Sequence, residues 1–156
     1  TGYNNAYQIL QTPDYVAILV ENIHDVRIIP LDGRPRLDAR IRQWNGDSRG
    51  RWEGSTLVVE TSNYGDNTEH RFPSSRNTRA VERFIRVEEN SIDYEFTIED
   101  PTVYTAPWTV FRPMPRLPDY RIYEYACHEG NYAMTNILRG ARAQERAAED
   151  AERHDD

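Results

Sequence analysis

Alternation of apolar and polar residues with a period of two is the feature that most limits what this chain can fold into. In residues 92–99, Ile92, Tyr94, Phe96 and Ile98 alternate with polar residues. This pattern is typical of a strand with one face on a core and the other in water. Further strands are predicted at residues 7–11, 15–20, 26–30, 49–54, 56–61, 81–87, 104–112 and 120–127.

Eight or nine short strands separated by turn residues indicate a mainly β fold. Their spacing of about ten residues favours an antiparallel barrel or sandwich. A closed barrel is our first choice, and with a C-terminal helix it resembles the lipocalin-like architecture in shape. The run at residues 15–20 is apolar on both faces, so it is expected to be a central strand. Residues 37–45 are ambiguous and could hold a short helical turn.

The C-terminal part of the chain changes character. Gly130 and Asn131 are expected to open a helix, and residues 139–156 contain no apolar residue larger than alanine. We therefore predict an antiparallel β domain at 1–138, which includes the start of the terminal helix. A polar helical tail at 139–156 is expected to fray towards its end.

Composition excludes several classes of function. The formal net charge is −7, which disfavours binding to a phosphate backbone. No apolar run is long enough to span a bilayer. All 19 basic residues are arginine, so neither a lysine Schiff base nor a P-loop lysine is available. A single cysteine, Cys127, forms no internal disulfide and no multi-thiolate metal site.

Several stretches together are similar to a known family. They are residues 2–10 (GYNNAYQIL), 23–34 (IHDVRIIPLDGR), 46–50 (GDSRG), 52–60 (WEGSTLVVE) and 122–132 (IYEYACHEGNY). The chain resembles the C-terminal half of a family of uncharacterised exported bacterial proteins. The resemblance implies export to the periplasm or the medium, and a longer protein from which this chain was cut or processed. It also implies that a disulfide partner of Cys127 lies in the missing N-terminal region. No catalytic residue follows from it.

Two stretches could carry chemistry. His24, Asp25 and Arg27 lie at a strand entrance, where an imidazole can move protons and an arginine can hold a carboxylate or an oxyanion. His128 and Glu129 lie where the last predicted strand meets the helix. The structural alternatives are an Asp–Arg ion pair at the first stretch, and a turn and helix cap at the second.

We predict that these five residues converge on one cavity as a catalytic acid–base site. With no lysine and one cysteine, histidine or a perturbed carboxylate must supply a group that titrates near neutrality. No cofactor is expected. A metal ion bound by His24, His128 and a carboxylate is the alternative.

Aromatic residues supply candidate ligand contacts. Trp44, Trp52, Trp108 and Tyr125 could stack on a sugar or an aromatic ligand, although aromatic residues in strands more often belong to the core.

The sequence thus leaves three hypotheses. The first is an exported small-molecule enzyme, namely a cofactor-free hydrolase, lyase or isomerase with its site at a barrel mouth. The second is a non-catalytic ligand-binding or carbohydrate-binding module. The third is a structural domain that packs on the missing N-terminal half. A small-molecule ligand is the expected partner, and the N-terminal region and a second copy of the chain are the further candidates.

Overall fold

The computed structural model describes residues 4–68, 72–126 and 128–154. The side chains of His24, Glu152 and His154 are outside this description, and so is Cys127. The chain divides into two compact units, Thr1–Tyr123 and Glu124–Asp156. The division predicted from the sequence, 1–138 and 139–156, stays a prediction.

Three strands form an antiparallel sheet at the start of the first unit. They are β1 (Tyr7–Gln11), β2 (Tyr15–Val20) and β3 (Val26–Pro30), and β2 lies between the other two. All three begin and end where the sequence predicts, and the central position of β2 is confirmed. The β1–β2 turn is tight because the Thr12 side chain bonds to both the amide and the carbonyl of Tyr15.

Five further strands form a second antiparallel sheet in chain order. They are β4 (Asp47–Glu53), β5 (Thr56–Ser62), β6 (Arg79–Glu88), β7 (Ser91–Glu99) and β8 (Trp108–Pro115). Consecutive strands pair throughout this sheet, as expected for strands joined by short turns. The connection between β5 and β6, residues 63–78, is longer, and these two strands pair nevertheless.

The two sheets share a hydrophobic core. Val16, Ile18 and Ile29 of the first sheet pack with Leu57, Val59 and Phe84 of the second. Burial of each such side chain contributes about 1.5–3 kcal/mol. A second cluster combines Tyr64, Ala80 and Ile98 with partly buried aromatic residues. The sheets therefore face each other across an apolar layer.

The predicted alternation in β7 is seen in its packing. Ile92 and Tyr94 contact the first cluster, Phe96 contacts the second, and Ile98 is buried within it. Asp93, Glu95 and Thr97 lie on the opposite face but are only half-exposed. Neighbouring arginine side chains on that face are long enough to limit their contact with water.

Arginine and glutamate side chains form a continuous network on the outer face of the second sheet. Glu60 accepts hydrogen bonds from Arg51 at 2.6 Å and from Arg79 at 2.8 Å, and Arg83 bonds to Glu53 at 3.0 Å. Val58, the register partner of both Arg51 and Arg83, is only 1% exposed. The aliphatic stems of the arginines explain this burial on a solvent-facing surface.

The predicted strand at residues 120–127 is wrong for its described part, 120–126, which forms no strand. Two of its polar groups bond instead to the side chain of Glu21, which is only 1% exposed. The Tyr120 hydroxyl donates to Glu21 at 2.6 Å, and the Tyr123 amide at 3.0 Å. The Ala6 amide also donates to this carboxylate, at 3.3 Å. Glu21 therefore links the segment before β1 to the segment at the end of the first unit.

Two smaller differences from the sequence prediction concern segment boundaries. Residues 37–45 contain no helix. β8 begins at Trp108 rather than at Tyr104, because the Tyr104 amide bonds back to the Asp100 carbonyl in a turn. That turn is stabilised by the buried Asp100 carboxylate, which accepts hydrogen bonds from Ser75, Thr78 and Thr102.

The second unit is dominated by one helix, α1 (Ala133–His154). Gly130 has a φ of 70° in the turn before it, and the Asn131 side chain accepts a hydrogen bond from the Ala133 amide. These are the turn and cap that the sequence offers as the structural reading of this stretch. No helix in the described part of the chain is long and apolar enough to span a membrane.

The mainly β, antiparallel architecture with a C-terminal helix is therefore confirmed. Pairing among the described strands gives two separate sheets rather than a closed barrel.

Candidate functional site

A cavity of about 300 Å³ opens between the two sheets. Its lining combines aromatic rings with one oppositely charged pair. The lining residues are Arg27, Trp44, Asn45, Tyr64, Thr68, Phe72, Ala80, Glu82, Tyr94, Phe96 and Ile98. The volume is at the lower end of the range found for small-molecule pockets.

The polar centre of this cavity is an ion pair between the sheets. Arg27 lies opposite Ile18 in the register and so points inward, and Glu82 lies opposite Val59 on the inner face of β6. Both guanidinium Nη atoms of Arg27 donate to the two carboxylate oxygens of Glu82. This bidentate geometry is the strongest arrangement for such a pair.

Tyr94 completes the ion pair as a third member. Its hydroxyl donates to Glu82 Oε1 at 2.7 Å, the same oxygen that accepts from Arg27 Nη1 at 3.0 Å. Both oxygens of the carboxylate are therefore engaged, and Glu82 is only 5% exposed.

The electrostatics of the cavity follow from burial and from the charge on Glu82. Burial alone would lower the pKa of Arg27, but the charge and hydrogen bonds of Glu82 outweigh it and raise that pKa. Burial, reinforced by the Glu82 charge, raises the pKa of Tyr64 to about 12 and also raises that of Tyr94. Both phenols therefore stay protonated at neutral pH.

Aromatic rings form the walls of the cavity. The ring centroids of Tyr94 and Phe96 lie 5.8 Å apart, and those of Phe72 and Phe96 lie 6.5 Å apart. Trp44 is 58% exposed although it lines the cavity, so its ring lies at the rim. The Thr68 hydroxyl donates to the Trp44 carbonyl at 2.9 Å and helps to hold this segment.

The residues of the first predicted stretch have different surroundings. The His24 side chain is outside the described part of the structure, and Asp25 is exposed just before β3. Arg27 pairs with Glu82 rather than with Asp25. An Asp25–Arg27 ion pair, the structural alternative for this stretch, is therefore wrong.

The residues of the second predicted stretch belong to the other unit. His128 and Glu129 are exposed in the turn before α1, and Tyr125 is half-buried. The convergence of His24, Asp25, Arg27, His128 and Glu129 on one cavity stays a prediction.

Of the three tryptophans predicted to contact a ligand, Trp44 lines the cavity. Trp52 is exposed at the end of β4, where it pairs with Leu57 in the register. Trp108 packs edge-on against Phe72, with their ring centroids 5.1 Å apart, and belongs to the periphery of the second cluster.

Sequence reasoning missed Glu82 and the polar role of Tyr94. A signal was present, because Glu82 lies between Ala80 and Phe84 on the face of β6 that period two assigns to the core. A carboxylate at an inward position needs a cationic partner. The identity of that partner, 55 residues away, depends on how the two sheets face each other.

Comparison with known proteins gives no further guide to this site. The chain matches no protein-family model, and neither the curated proteins nor the solved structures yield a similar chain.

Proposed function

We propose that the first unit binds a small, flat, largely apolar molecule without net charge in the cavity between its two sheets. The observation that carries this proposal is the lining itself. Five aromatic side chains surround an ion pair that is already internally neutralised: Trp44, Tyr64, Phe72, Tyr94 and Phe96. This is the non-catalytic binding module among the hypotheses raised by the sequence.

The absence of net charge on the ligand follows from the Arg27–Glu82 pair. The guanidinium donates both Nη groups to the carboxylate, so its charge is already compensated. An anionic ligand would lose its hydration and meet the Glu82 charge, and a cationic ligand would meet that of Arg27. A neutral molecule loses little hydration and gains contacts with the rings.

The flat shape follows from the walls. Aromatic rings prefer offset-stacked or edge-on contacts with other rings, worth about 0.5–1.5 kcal/mol each beyond burial. Trp44 at the rim is placed to cover one face of a planar guest. The gap between two facing sheets takes the place of the barrel mouth expected from the sequence.

Binding can be tested with three probes that share a naphthalene ring and differ in charge. They are 2-naphthalenemethanol, 2-naphthoate and 2-naphthylmethylammonium, titrated by calorimetry at neutral pH. We expect the neutral probe to bind at least ten-fold more tightly than either ion, a difference of about 1.4 kcal/mol. Equal affinities, or no binding of the neutral probe at millimolar concentration, would contradict the proposal.

Two tryptophan variants locate the binding site. Trp44→Ala should lower the affinity for the neutral probe about ten-fold, because it removes one stacking surface. Trp52→Ala is the matched control, since Trp52 is a similarly exposed tryptophan of the same unit that does not line the cavity. A loss of affinity in both variants, or in neither, would place the probe elsewhere.

The acid–base enzyme and the interaction domain stay as predictions from the sequence. So do export to the periplasm or the medium and membership of the exported bacterial family.

A further inference from the structure

β1 is the outermost strand of the three-stranded sheet, and all five of its residues are exposed. The Thr12 amide bonds to the Tyr15 carbonyl, and the Glu21 amide bonds to the Ala6 carbonyl. Bonded and non-bonded pairs alternate in an antiparallel ladder. The backbone groups of Gln8 and Leu10 therefore face β2.

The other backbone groups of β1 face away from the sheet. They belong to Tyr7, Ile9 and Gln11, and no described strand pairs with them. An open edge of this kind is a template for another strand.

The β8 edge of the five-stranded sheet is protected against such pairing. β8, the last strand of the five-stranded sheet, carries Pro113 and Pro115, which lack an N–H group and interrupt an edge ladder. Prolines and charges on edge strands are the usual devices against edge-to-edge association. β1, with the sequence YQILQ, contains neither.

Charge also singles out this edge. Residues 4–13 carry no charged side chain, whereas 29% of the whole chain is charged. Two copies, each with a formal net charge of −7, repel one another over most of their surface. They can approach along β1 without placing like charges opposite each other.

We propose that β1 pairs in antiparallel fashion with β1 of a second copy of this chain, about a two-fold axis at Ile9. In this register Ile9 faces its own counterpart, and Tyr7 faces Gln11 of the partner subunit. The outward backbone groups of all three residues then bond across the axis. The result is one continuous sheet with three strands from each copy, an isologous interface of the commonest kind.

The proposal is tested on the chain itself by sedimentation equilibrium and by amide hydrogen exchange, both over a hundred-fold range of protein concentration. We expect reversible dimers. The amides of Tyr7, Ile9 and Gln11 should exchange at least ten-fold more slowly at high concentration. The amides of Gln8 and Leu10, already bonded to β2, should change much less. Dimers without this alternation would overturn the proposal.

Proline substitution gives the matched variants. Gln11→Pro removes an outward N–H without removing a β1–β2 bond and should weaken the dimer at least ten-fold. Ala39→Pro is the control, because Ala39 is exposed at the second position of the turn closed by the Ile41 amide and the Asp38 carbonyl. If Gln11→Pro fails to fold, the exchange pattern of the unaltered chain decides.

Three further results would overturn the proposal. One is a monomer at every concentration. Another is protection of the outward amides that does not depend on concentration, which would show that another part of the same chain covers the edge. An association that a folded Gln11→Pro variant leaves unchanged would overturn it as well.

Discussion

Replacing Glu82 with glutamine tests whether the ion pair between the sheets holds the fold as its geometry implies. The change removes a charge that is only 5% exposed and leaves Arg27 without compensation. Loss of one partner of a buried pair costs about 3–5 kcal/mol. Because the Arg27 side chain keeps 23% of its exposure, we expect the lower figure, about 3 kcal/mol. For a chain of this length, that corresponds to a drop of roughly 6–12 °C in melting temperature.

The assay is equilibrium unfolding in urea. The free energy of unfolding is calculated from the midpoint of the transition and from its dependence on urea concentration. Glu53→Gln is the matched control, because Glu53 also pairs with arginines but is 40% exposed. It should cost much less than Glu82→Gln, because ion pairs between exposed side chains contribute little to stability. The triple variant Arg27→Met, Glu82→Leu and Tyr94→Phe should recover most of the loss. It replaces the pair with apolar side chains and also removes the Tyr94 hydroxyl, which would otherwise lose its acceptor. A Glu82→Gln variant no less stable than Glu53→Gln would refute the reasoning.

Two other changes have expected outcomes that the same assay can check. Gly46→Ala should cost about 1–3 kcal/mol more stability than Gly33→Ala. Both glycines have a φ near 70°, so the backbone strain is the same. A Cβ at Gly46 would lie 2.6 Å from Thr61 Cγ2 and 2.7 Å from the Ser62 carbonyl oxygen, whereas a Cβ at Gly33 would have nothing within 4 Å. Equal losses would mean that backbone strain alone matters. The hydrogen bonds that Glu21 accepts, first from Tyr120 and then from Tyr123 and Ala6, outweigh burial and lower the pKa of Glu21 below 4.5. Its ionised carboxylate therefore stabilises the fold fully above about pH 5, and this stabilisation is lost as the pH falls through the pKa of the folded state. The stability gap between the protein and Glu21→Gln should therefore be constant from about pH 7 to 5 and narrow below that, and a gap that widened in acid would contradict this assignment.

The strands could be predicted from the sequence because period two and turn chemistry are local properties. β1, β2 and β3 were located to the residue, since each is bounded by proline, aspartate or glycine within a few positions. Residues 120–126 show the limit of this reasoning. Their apolar alternation resembles that of a strand, but the Tyr120 and Tyr123 donors are taken by Glu21, about one hundred residues away.

The cavity could be predicted only in part. Arg27 and Trp44 were candidates because of their residue types, and both line it. The cavity also contains Glu82, Tyr64 and Phe72. They come together because the two sheets pack face to face, and such long-range packing cannot be read from a local sequence pattern. For Glu82 alone, the alternation in β6 predicts a side chain that points into the core.

The arginine–glutamate network on the outer face of the second sheet has a consequence for behaviour in alkali. Hydrogen bonds that Arg51 and Arg79 donate to the Glu60 carboxylate raise the pKa of both guanidinium groups further. A lysine in either place would discharge near pH 10.4, but a guanidinium keeps its proton well beyond that. The ion pairs on this surface therefore persist at alkaline pH values at which lysine ion pairs would be lost. Loss of the fold at high pH should then begin with ionisation of tyrosines rather than with this face.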